Sequence, residues 1–246
     1  MIDILRSEWT KIRSVRSTVW TLAVTALLMV GVAVLLAAAY KGSGDDPAPV
    51  REALMMSLAG AQLAALSMAT LGVLVISGEY RTGGIRTSLL AVPRRMRLLT
   101  AKIVVFLAVS LVVCALASAG AAAAGLAILR PPSAEAGEAV RAVLGVTLYL
   151  TACGLFGLGL GTLVRHTAGA LVSAIALILV LPTLATQLPG DWGRAVADHF
   201  TTNAGRLIVS GQDNGALGPW SGFAVYLAWI AAALVAGAVL MHRRDA

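Results

Sequence analysis

The stretch Thr18–Tyr40, TVWTLAVTALLMVGVAVLLAAAY, contains no Asp, Glu, Lys or Arg. Wound as a helix, a run of this length crosses the ~30 Å hydrocarbon core of a bilayer, where each backbone polar group must find its partner within the helix. Five further stretches repeat the pattern: Ala53–Ser77, Ile103–Leu129, Ala142–Val164, Ala168–Leu188 and Trp220–Met241. Each is free of acidic and basic residues, so the charges fall in the connections. The fold class read from this is an all-α integral membrane protein of six transmembrane helices.

The composition agrees, with 59% hydrophobic and 13% charged residues. The longest connection, Pro189–Pro219, is too short for a soluble catalytic domain, so residues 1–246 are expected to form a single membrane domain. A net charge of +7 suggests nucleic acid until its distribution is followed along the chain. With the N-terminus inside, thirteen Lys and Arg fall on one face of the membrane and six on the other, and the six are accompanied by eight of the twelve acidic residues. The positive-inside rule then places both termini and the loop over residues 78–102 in the cytoplasm, and residues 189–219 outside. This is a multi-pass protein of the cell (inner, cytoplasmic) membrane, with no call for nucleic acid. A cleavable signal peptide is rejected, because the first apolar run exceeds a signal h-region and its removal would leave an odd number of crossings.

Ionisable residues inside membrane spans mark proton relays and ion sites, and none of the six stretches holds one. His166, His199 and His242 fall in loops or at a helix end, and Cys114 and Cys153 lie within predicted helices as packing residues. The chain has no GxxxxGK[ST] loop, HExxH pair or GxSxG elbow. It is therefore read as no enzyme, with no catalytic, cofactor-binding or metal residues. Gln62, Ser67, Thr70, Thr147 and Thr151 either line a hydrated path or make contacts between helices. Gly154, Gly157 and Gly161 in the fourth stretch, the last two forming a GxxxG step, either pack helices within the chain or form a dimer face. Pro182 is expected to kink or end the fifth helix.

Two cytoplasmic elements stand out. Ile2, Leu5, Trp9 and Ile12 recur at helical spacing among Arg6, Lys11, Arg13 and Arg16, which predicts an amphipathic interfacial helix over residues 1–17 with Trp9 at the level of the membrane lipid headgroups. In the loop over residues 78–102, Thr87–Val92 forms a short apolar turn between Gly83-Gly84 and Pro93, and Glu79 stands alone among cations. A pairing of Glu79 with Arg13, Arg81 or Arg86 is expected, as an exposed contact of ~0–1 kcal/mol.

Three strings in order, LRSEWTKIRSVRST (Leu5–Thr18), GEYRTGGIRTSLLAVPRR (Gly78–Arg95) and GLGTLVRHTAGA (Gly159–Ala170), resemble ABC-2 type permeases, especially their actinobacterial branch. Gly84 departs from that branch, where Thr or Ser is common. The resemblance implies an ABC-2 type transmembrane domain that pairs with a second permease chain, identical or related, and with two copies of a separate ATPase carrying ATP and Mg. It also implies an ATPase-coupling surface on Glu8, Trp9 and Arg13 of the first element. The loop would contribute Glu79, Tyr80, Arg81, Gly83, Ile85, Arg86, Leu89, Leu90, Pro93 and Arg94 as a cytoplasmic coupling element between helices two and three. Part of residues 189–219 would form an external re-entrant or surface helix. The function implied is ATP-driven export. A membrane scaffold or immunity protein, and an ion-coupled secondary transporter, share the bundle and remain the alternatives. The lack of charge in the spans points to a hydrophobic or amphiphilic cargo.

Overall fold

A computed structural model describes residues 2–43, 48–82, 95–131 and 136–243, and every element in them is helical. A short helix, α1 (Ile2–Ser14), precedes α2 (Arg16–Gly42), the first of six segments long and apolar enough to cross a membrane. The second crossing is α3 (Val50–Leu58) followed by α4 (Ala61–Thr82), the third is α5 (Arg95–Leu129) and the fourth α6 (Ala136–Val164). The fifth begins as α7 (Thr167–Ile175), widens into a π turn over Ala176–Val180 and ends as α8 (Leu181–Ala185). Three short helices, α9 (Gly190–His199), α10 (Thr201–Gly205) and α11 (Leu207–Ser210), lead to the last crossing, α12 (Pro219–Arg243). The Thr87–Val92 turn expected from the sequence lies outside the described residues.

The crossings are not equivalent. The most apolar window of α6 is 78% buried, whereas that of α2 is 22% buried and those of the fifth crossing and α12 are each 28% buried. So α6 is the axis of the bundle, and the outer helices turn Leu27, Leu35, Leu116, Val172 and Val235 outward. Apolar side chains on an unpartnered outer surface are what lipid demands and water would penalise. Exposed Trp9 and Trp20 stand toward the end that bears the N-terminus, and Trp192 and Trp220 toward the other. These are the two levels at which amphipathic indoles meet headgroups.

The α4–α6 contact depends on missing side chains. A Cβ on Gly72 would stand 2.0 Å from the Gly154 carbonyl oxygen, and one on Gly157 would stand 2.1 Å from that of Ala69. The two backbones therefore touch directly, which gains dispersion contacts where lipid offers no hydrophobic drive.

Two crossings are interrupted: the second departs from the uninterrupted helix expected of it, and the fifth is irregular around Pro182, as expected. In the second, the chain turns at Ala59–Gly60, where α2 packs so closely that a Cβ on Gly60 would meet the Leu28 carbonyl oxygen at 2.8 Å. In the fifth, Pro182 has no N–H to offer the Ile178 carbonyl four residues back. Thr202 Oγ1 donates to that oxygen at 2.8 Å, Thr201 Oγ1 donates to Leu177 O at 2.7 Å, and Asn203 Nδ2 donates to Pro182 O at 2.9 Å. Three consecutive polar side chains of α10 thus satisfy carbonyls of the irregular turn, which at membrane depth have no water to turn to.

Candidate functional site

At the end of the bundle that carries the N-terminus, four charged side chains from three helices close into a ring. α1 rests on the start of α5, and helical spacing turns Glu8 and Ile12, one turn apart, toward the bundle while Trp9 faces away. α5 starts well before its apolar run, so Lys102 stands about two turns inside it, among buried Leu98, Leu99, Ala101 and Val105. Glu79 occupies the last turn of α4, one turn beyond buried Ile76.

Lys102 Nζ meets Glu8 Oε2 at 2.5 Å and Glu79 Oε1 at 2.9 Å. Lys11 Nζ meets Glu8 Oε1 at 2.7 Å and Glu79 Oε1 at 3.0 Å. Each carboxylate faces both ammonium groups, and the formal charges cancel. Glu8 is 1% exposed and Lys102 3%, while Lys11, at 39%, is the open side of the ring. Burial pushes the Glu8 carboxyl up, but the charge and hydrogen bond of Lys102, joined by those of Lys11, outweigh it and hold Glu8 below its ordinary value. Burial likewise pushes Lys11 down, and its hydrogen bonds to Glu8 and Glu79 more than reverse this, leaving it raised. Both groups are thus held ionised. Glu79 Oε2 is buried with no hydrogen-bond partner among the described residues, a costly state for a carboxylate oxygen.

Of the pairings expected for Glu79, the one with Arg13 is corrected here. Among the described residues its partners are Lys11 and Lys102, while Arg13 is exposed, the Arg81 side chain is not described and Arg86 lies outside the described residues. The contact is largely buried rather than exposed, because α4 and α5 run on past their apolar stretches and carry these charges into the packed end of the bundle. The uncharged stretches lie within longer membrane-length helices, and those helices include Glu79 and Lys102.

Of the other candidates, Trp9 and Arg13 lie on the outward side of α1. The side chain of Tyr80 is not described, and Gly83, Ile85, Arg86, Leu89, Leu90, Pro93 and Arg94 lie outside the described residues. Gly154, Gly157 and Gly161 are buried inside the chain, the first against Phe106 of α5 and the others against α4. The polar set is dispersed. Ser67 Oγ and Thr25 Oγ1 share a hydrogen bond of 2.8 Å, and Thr147 Oγ1 and Ser118 Oγ share one of 2.9 Å. Thr151 is buried, Thr70 is half-buried in α4, and Gln62 lines a cavity at the opposite end of the bundle. Lys11 and Lys102 were not among the candidates. The signals that pointed to them were the i, i+3 spacing of Glu8 and Lys11 and a lysine set directly against the apolar run from Ile103.

Arg165 adds a second tie at this end. It closes α6 at φ 58°, a left-handed conformation uncommon for arginine, and its Nη2 donates to the Leu240 carbonyl of α12 at 3.0 Å. The ring ties α1, the end of the second crossing and the start of the third to one another. The family model described as ABC-2 family transporter protein matches residues 4–185, a range that holds all four members of the ring. No curated protein matches the chain.

Proposed function

Since the chain belongs to the ABC-2 transporter family, we propose that it is the permease subunit of an ATP-driven exporter of the cytoplasmic membrane. Two such permease chains, identical or related, work with two copies of a separate ATPase. ATP and Mg bind there and not on this chain. The ATPase docks on the outward face of α1 and on residues 78–102, and its closure pushes that loop. The ring of Glu8, Lys11, Glu79 and Lys102 is the observation that supports this reading above all. A push on residues 83–94 reaches the second and third crossings through Glu79 and Lys102, and a buried ion-paired junction moves as a unit rather than yielding locally. Because α4 lies backbone to backbone against α6, the displacement passes on to the axis of the bundle.

The test is purification of the tagged chain from its native membrane in mild detergent, with partners identified by mass spectrometry and ATP hydrolysis assayed. A stoichiometric subunit with a Walker phosphate loop is the expected result. A chain recovered repeatedly intact and alone overturns the reading in favour of a scaffold or an ion-coupled transporter. In the same preparation Glu79→Arg is expected to insert normally while losing ATPase association or ATP-dependent transport.

A further inference from the structure

At the end of the bundle opposite α1, the break between α3 and α4 opens a cavity of about 400 Å³, within the size range of small-molecule sites. Arg51 of α3, Arg141 of α6 and Arg206 from the junction of α10 and α11 all line it, with Glu138 as the carboxylate among its described lining residues. Among those residues three guanidinium groups thus stand against one carboxylate. Among the described residues none of the three forms an ion pair.

Two of the three cations are held by contacts within the fold. Arg141 Nη2 donates to the Gly211 carbonyl oxygen at 2.9 Å. Gly211 has φ 64°, and a Cβ there would stand 2.9 Å from the same Nη2, so this position needs glycine on both counts. Arg206 is half-buried and meets the buried Tyr149 side chain. Beside the cations Leu54, Leu58 and Ile208 line the cavity and are themselves buried in the fold.

Like charges gathered around one cavity repel one another, and an anion seated among them relieves that repulsion. Guanidinium forks suit phosphate and carboxylate oxygens, which they bind in bidentate fashion. The apolar wall suits an alkyl chain and has nothing to offer a free inorganic ion. We propose that this cavity binds an amphiphile with one anionic headgroup, phosphate or carboxylate, on an apolar chain. The headgroup sits among Arg51, Arg141 and Arg206, and the chain lies along Leu54 and Leu58. This goes beyond the permease reading and does not depend on it, because binding requires neither nucleotide nor ATPase.

The test uses the purified chain, with whatever subunits accompany it, in a neutral detergent. Native mass spectrometry follows retention of lysophosphatidic acid, with lysophosphatidylcholine and inorganic phosphate as comparisons. One lysophosphatidic acid retained per chain, at least tenfold more tightly than lysophosphatidylcholine, is the expected result. Retention should fall at least tenfold in Arg206→Gln and in Arg51→Gln, the latter at an exposed position where the fold is not at stake. Arg206→Lys, which keeps the charge without the fork, should fall between. Equal retention of the zwitterionic lipid, or full retention by folded variants, overturns the assignment. So does inorganic phosphate displacing the lipid at equal concentration, which marks an anion site that ignores the chain.

Discussion

Replacing Lys102 with methionine tests the ring where it is most buried. The substitution keeps the length of the side chain and removes the ammonium that stands 2.5 Å from Glu8 and 2.9 Å from Glu79. Two carboxylates then share Lys11, and the ring carries a net negative charge at a site where Glu8 is 1% exposed. Removing one partner of a buried ion pair costs ~3–5 kcal/mol, because the remaining charge stays desolvated without compensation. Lys11 still holds Glu8 at 2.7 Å and admits water at its edge, which lowers the expected cost to about 2–3 kcal/mol. For a chain of this size that is a fall of about 4–12 °C in thermal midpoint, read by scanning fluorimetry of the detergent-purified protein. The decisive comparison is Glu8→Gln combined with Lys102→Met, which again balances the ring by leaving Lys11 with Glu79. It should recover about 1–2 kcal/mol over Lys102→Met alone, since only coupled charges give such non-additivity. A Lys102→Met midpoint within about 2 °C of the parent, or a double variant less stable than the single one, refutes the energetic role of the ring.

Three further outcomes follow from the geometry. Gly72→Ala drives a methyl group into the Gly154 carbonyl and should cost at least ~1–3 kcal/mol and lower the yield of folded protein. Gly31→Ala, where nothing lies within 4 Å of the added Cβ, should leave fluorimetry and yield unchanged. Thr202→Val removes the donor to the Ile178 carbonyl while keeping the shape of the side chain, and should cost ~1–3 kcal/mol in the same assay. The contributions of Glu8 and Lys11 to the midpoint should be constant between about pH 5 and 10. Glu8 is lowered from 4.5, so its contribution is complete above that value and disappears as pH falls through the folded pKa. Lys11 is raised from 10.5, so its contribution is complete below that value and disappears as pH rises through the folded pKa. Glu8→Gln should flatten the acid limb, and an unchanged acid limb would remove Glu8 as its source.

The sequence by itself determined the six crossings, and to within about two helical turns where each lies: Thr18–Tyr40 falls within Arg16–Gly42, and Ala142–Val164 within Ala136–Val164. That is legible in one dimension because hydrocarbon excludes charge from every face of a helix, so an uncharged run states both its own existence and its length. The same uniformity conceals how each helix is rotated about its axis. A helix apolar all round does not announce which side meets a neighbour, and for that reason only the tertiary structure decided that Gly157 faces α4. Long-range pairing was hidden for a related reason. Glu8 and Lys102 lie 94 positions apart, and any of several cations at that end satisfied the sequence as a partner for Glu79. The break at Ala59–Gly60 has no proline to signal it, and it depends on how closely α2 approaches. The cavity beside it draws Arg51, Arg141 and Arg206 from three separate connections, so its charge exists only once the packing of the helices brings them together.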